Sequence, residues 1–141
     1  MEDGQLVEIV NTHKVIAAVI AAGLDVARPE RDDGIDLIIY SRKGGPWMSV
    51  PVQIKSRFSI QKKYDGRPGL VMCYVCPDGT FYVLTHEQAK EIARARGYLD
   101  DAKSAWRDAG SYSCVIGASL AKDLQPYIAT PERWASLFRS E

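Results

Sequence analysis

An α/β chain of the mixed, α+β kind, with a central sheet of four to five strands flanked by helices, is predicted by three observations. Apolar residues recur at three- and four-residue spacing near the start of the chain. Short runs rich in β-branched and aromatic residues follow, and a second helical stretch comes directly after them. The 141 residues suffice for a single domain with a buried core, and no repeat, low-complexity block or Pro/Gly/Ser linker divides them.

Residues 5–22 predict a helix with Leu6, Ile9, Val10, His13, Ile16, Ala17 and Ile20 as its apolar face and Gly23 as its stop. Residues 24–27 predict a short extended entry, ended by Pro29. After a polar elbow at 28–34, the run Ile35-Asp36-Leu37-Ile38-Ile39-Tyr40 is too short for a helix and predicts a strand. A Gly-containing turn at 41–46 joins it to a second strand at 48–56, as a hairpin. Residues 70–76 and 81–84 predict another hairpin around Pro77-Asp78-Gly79. Thr85 and Gln88 have capping-box spacing, so a helix runs from Thr85 to about Arg96, where Gly97 closes it. Residues 100–109 predict a short helix and 112–116 a strand. Pro131, following Thr130, starts a terminal helix carrying Trp134, Leu137 and Phe138.

Lys plus Arg (18) equals Asp plus Glu (18), so the net charge is zero and no global field attracts a polyanion or an acidic membrane. The longest apolar stretch, Val15 to Leu24, is about half of a bilayer span, and no membrane partner is expected. Three cysteines and no recognisable leader predict reduced thiols and a cytoplasmic location.

Gln53 and Lys55 stand two apart in a strand and share one face, while Val52 and Ile54 share the other. Asp36 lies in an otherwise aliphatic strand, where a lone carboxylate is costly unless paired, solvated or bound to metal. The hairpin brings these groups together. A carboxylate and a side-chain oxygen near a backbone carbonyl suit a hard cation such as Mg²⁺ or Mn²⁺. A neighbouring Lys can orient or deprotonate water and offset charge on a phosphorane. Together these are the requirements of metal-assisted phosphodiester hydrolysis. The plainer reading is a hairpin with a snorkelling Lys55, a solvated Gln53 and an Asp36 that caps a turn.

The following stretch, 56–67, sets Arg57, Lys62, Lys63 and Arg67 against Asp65, for a net +3 that Lys55 raises to +4. As a basic loop leaving the Lys55 strand, it can track phosphates and offer Phe58 or Tyr64 for base stacking. An ordinary solvated loop is the plainer reading. The acidic counterweight is Glu2, Asp3, Glu8, Glu30, Asp32, Asp33 and Asp36.

Gly34-x-Asp36 on one strand and Gln53-x-Lys55 on the next, after a helix and before a hairpin and helix, resemble the PD-(D/E)xK nuclease superfamily, whose fold is restriction-endonuclease-like. The resemblance covers about residues 5–96 and leaves 98–141 as a C-terminal helical extension. It implies that Asp36 binds the metal, that Gln53 stands in for the commoner Glu as ligand, and that the Ile54 carbonyl joins them. Lys55 then assists the water or the transition state, and Glu8 is the candidate helix acid. The implied cofactor is Mg²⁺ or Mn²⁺ and the implied substrate DNA, bound by Arg57, Lys62, Lys63, Tyr64 and Arg67 and cut by a homodimer. Two departures stand out. Gln53 is neutral, and Glu8 precedes Gly23 by 15 positions, about one turn more than in resolvase-like relatives, so that Thr12 stands where Glu is usual. They motivate an alternative, a catalytically inactive nuclease-fold binding or immunity-type module with a protein partner.

The remaining motifs read as structure. Cys73 and Cys76 face opposite sides of a strand and are expected as small core hydrophobes. His13 is expected on the apolar helix face, His86 in solvent after the Thr85 cap, and Trp106, Tyr127, Trp134 and Phe138 as anchors of the tail.

Overall fold

A computed structural model describes residues 3–31, 33–100 and 105–139. Helix α1 (Asp3–Ala21) leads into β1 (Asp25–Ala27), β2 (Leu37–Tyr40) and β3 (Ser49–Lys55). Strand β4 (Phe58–Gln61) and a 3-10 turn at Lys62–Tyr64 precede β5 (Val71–Val75), β6 (Phe81–Thr85) and helix α2 (His86–Ala95). A π-helical turn at Ala105–Ala109, β7 (Ser111–Cys114), α3 (Ala118–Leu124), a 3-10 turn at Gln125–Tyr127 and α4 (Pro131–Ser136) follow. Glu2, Asp32 and positions 101–104 of the expected 100–109 helix lie outside the described residues.

The main sheet has five strands in the order β1-β2-β3-β5-β6. Strands β3 and β5 are parallel and the other neighbours antiparallel, so the sheet is mixed, as predicted, and helices flank it. Its pleat sorts side chains between two cores. One face, including Leu37, Val52, Ile54 and Cys73, packs with Val15 and Val19 of α1 and with Trp134 of α4. The opposite face, with Met72, Tyr74 and Leu84, packs with Phe58, Ile60 and Tyr64, with Ala89 and Ala93 of α2, and with Trp106. The capping box is present: Thr85 Oγ1 accepts from the Gln88 N–H at 3.0 Å and Gln88 Oε1 from the Thr85 N–H at 2.9 Å.

Several expectations are corrected. The predicted apolar face of α1 turns largely outward: Leu6, Ile9, Val10 and Ile20 are each about half exposed, His13 and Ala17 are exposed as well, and Ile16, partly buried, packs against the core. The buried line is Asn11, Val15 and Val19. Both lines have helical spacing, and packing on β1, β3 and α4 selects between them. The expected basic loop at 56–67 contains β4 and a 3-10 turn. Phe58 and Ile60 alternate inward there and are fully buried, and β4 finds its antiparallel partner in the distant β7. His86 is buried rather than solvated. Its Nε2 accepts from the Gln61 N–H at 3.0 Å and its ring meets Tyr64 edge-on at 5.3 Å, so burial pushes its pKa below the ordinary imidazole range. The tail is woven into both cores through Trp106 and Trp134, and it holds α3, which was not predicted. No helix among the described residues is long and apolar enough to cross a membrane.

Candidate functional site

Strand period and a short antiparallel turn build this site. Leu37 pairs with Val52 and faces the α1 side, so Asp36, one residue earlier, falls on the face that Gln53 and Lys55 share. The Asp36 N–H donates to the Val52 carbonyl at 2.9 Å, and its Oδ2 accepts from the Ile54 N–H at 2.7 Å. The carboxylate thus ties the start of β2 to the end of β3. That contact is the capping role of the plainer reading.

Glu8, Asp36, Gln53, Ile54 and Lys55, drawn from α1, the entry to β2 and the end of β3, line one cavity of about 380 Å³. A second hollow of about 240 Å³ shares Glu8 and Asp36 and adds Thr12. Glu8, despite its early position in α1, thus lines both hollows together with Asp36. Thr12 spends its hydroxyl on the Glu8 carbonyl at 2.8 Å.

Gln53 is 4% exposed, not solvated. Its Nε2 donates to the Tyr64 hydroxyl at 3.3 Å, while its Oε1 is buried without a hydrogen-bond partner. Such an orphan acceptor costs about 1–3 kcal/mol unless a donor or cation meets it. No group of three or more His, Cys, Asp or Glu side chains gathers as a metal site among the described residues. A cation here would thus rely on two carboxylates and neutral oxygens, and the unspent Gln53 oxygen fits that donor set.

Gly34 completes the arrangement. Its φ is +88°, and a Cβ there would lie 2.3 Å from the Tyr64 hydroxyl oxygen. Glycine is required both by the backbone and by the ring beneath it. Sequence reasoning missed two neighbours. Asn11, 8% exposed, lines the cavity, and its signal was a polar residue in register with Val15 and Val19. Tyr64 was read as a base-stacking residue, but it is 7% exposed, and Phe58 is fully buried, so both rings are closed to a nucleobase.

The cations remain outside. Arg57, Lys62, Lys63 and Arg67 are exposed, with Lys62 over the Trp106 ring at 5.4 Å and Lys63 over Tyr64 at 5.2 Å. Arg57 Nε donates to Ser113 Oγ at 3.0 Å. Lys55 and Ser56, on the cavity wall, also line a groove of about 280 Å³ along β4 and β7 that includes Arg57. Of the cations, Lys55 and Arg57 line this groove, and Lys62, Lys63 and Arg67 do not. No family model, curated protein or solved structure matches the chain.

Proposed function

We propose that the chain is a PD-(D/E)xK-type, metal-dependent endonuclease-like protein with a restriction-endonuclease-like core that hydrolyses phosphodiester bonds in DNA. The supporting observation is the convergence of Glu8, Asp36, Gln53, Ile54 and Lys55 on one cavity. In this reading Asp36, the Gln53 oxygen and the Ile54 carbonyl hold Mg²⁺ or Mn²⁺, with Glu8 supplying the second negative charge. When bound, the cation polarises a phosphoryl oxygen and acidifies water. Lys55 orients the water and offsets developing negative charge. Arg57, Lys62, Lys63 and Arg67 contact phosphates, and a homodimer presents two sites to two strands.

A second reading, an inactive nuclease-fold binding module, is favoured by two observations: the neutral Gln53 and the Asp36 oxygen already bonded to the Ile54 N–H. One assay separates them. The purified chain is incubated with duplex, branched and single-stranded DNA plus Mg²⁺ or Mn²⁺, beside Asp36→Ala and Lys55→Ala. The expected outcome is metal-dependent cutting that each substitution lowers by about a hundredfold or more. Cutting that survives both overturns the assignment, and no cutting of any substrate favours the binding module.

A further inference from the structure

We propose that Tyr64 is a positioning residue of this site: its hydroxyl holds the amide nitrogen of Gln53, so that the amide oxygen is the end left for a divalent cation. The inference rests on the metal reading above. Three observations carry it. Gln53 Nε2 donates to the Tyr64 hydroxyl at 3.3 Å. Gln53 Oε1 is buried and has no partner. The hydroxyl has a built seat, because Gly34, two residues before Asp36, has no Cβ to displace it, and the ring is held edge-on to the buried His86 at 5.3 Å.

The chemistry turns on the two unlike ends of an amide. One end offers an acceptor that ligates a cation, and the other offers two N–H donors that repel it. Partners that orient a ligand in this way are commonly worth about 10- to 100-fold in metal affinity. A carboxylate has two equivalent oxygens and needs no such choice. Tyr64 should therefore matter when residue 53 is Gln and cease to matter when it is Glu.

The test is Mn²⁺ binding to the DNA-free chain, followed by calorimetry and by the electron-paramagnetic signal of free Mn²⁺. It compares the unsubstituted chain, Tyr64→Phe, Gln53→Glu, the double variant and Asp36→Ala, each checked for folding by circular dichroism. Expected are a loss of about tenfold or more from Tyr64→Phe beside Gln53, and no more than about twofold beside Glu. Equal losses in both backgrounds, or none beside Gln53, overturn the proposal alone, provided that Asp36→Ala abolishes binding. Absence of Mn²⁺ binding by the unsubstituted chain overturns the metal reading as well. A second measurement needs no variant: Mg²⁺ should shift the Gln53 side-chain carbonyl carbon in NMR while its NH₂ protons stay protected from exchange. Loss of that protection, or no carbonyl shift, counts against the proposal even if Tyr64→Phe does not fold.

Discussion

At Gln53, a buried amide satisfies one end and leaves the other unmet. Its place on the Lys55 face was legible because strand side chains alternate with a period of two. Its burial was not, because Tyr64 covers it from a turn whose neighbours are charged and look solvent-facing. His86 makes the same point. It follows a cap and reads as exposed, yet the Gln61 N–H donates to its Nε2, which must stay unprotonated to accept. Burial holds its pKa below the ordinary range, with Lys90 reinforcing that shift and Asp65 opposing it. The unfolded chain then takes up this proton more readily than the folded one. The resulting stability is complete above about pH 6.5 and lost as pH falls through the depressed folded value. The melting temperature should therefore fall between about pH 7 and about pH 5, and less steeply in His86→Gln, which keeps an acceptor without a titrating proton. An unchanged slope in that variant would remove His86 as the cause.

The elements that follow from local chemistry are the two hairpins, the Thr85–Gln88 capping box and the terminal helix begun by Pro131. Helix α1 is different, because two lines of apolar residues compete and the sheet meets only one. Replacing Val15 or Val19 by Ala should cost about 2 kcal/mol each, from lost burial and the cavity left behind. Ile9→Lys and Ile20→Lys should change stability by no more than about 0.5 kcal/mol, since these side chains already meet solvent. Urea unfolding of the four variants checks this, and the reverse ranking would restore the face first read from the periodicity. Strand β4 escaped notice because its inward alternation is only four residues long and is followed at once by Lys62 and Lys63. Its pairing with β7 joins residues fifty or more positions apart.

For the molecule as a whole, zero net charge includes a local track of exposed cations along the chain, Arg57 before β4 and Lys62, Lys63 and Arg67 after it. If that track holds phosphates, Lys63→Ala and Arg67→Ala should weaken DNA binding about equally across sequences. Each should also reduce the slope of log affinity against log salt by about one. Fluorescence anisotropy at several salt concentrations measures both, and an unchanged slope would exclude those side chains from the contact. The sequence by itself determined the mixed sheet's hairpins and the shared face of Gln53 and Lys55. These follow from backbone period and turn chemistry within a few residues. Only the tertiary structure decided which side of α1 is buried, that β4 pairs with β7, and that Tyr64 lies beneath the site rather than on the surface. Each of those depends on contacts between distant parts of the chain, where burial of one alternative excludes the other and no local pattern ranks them.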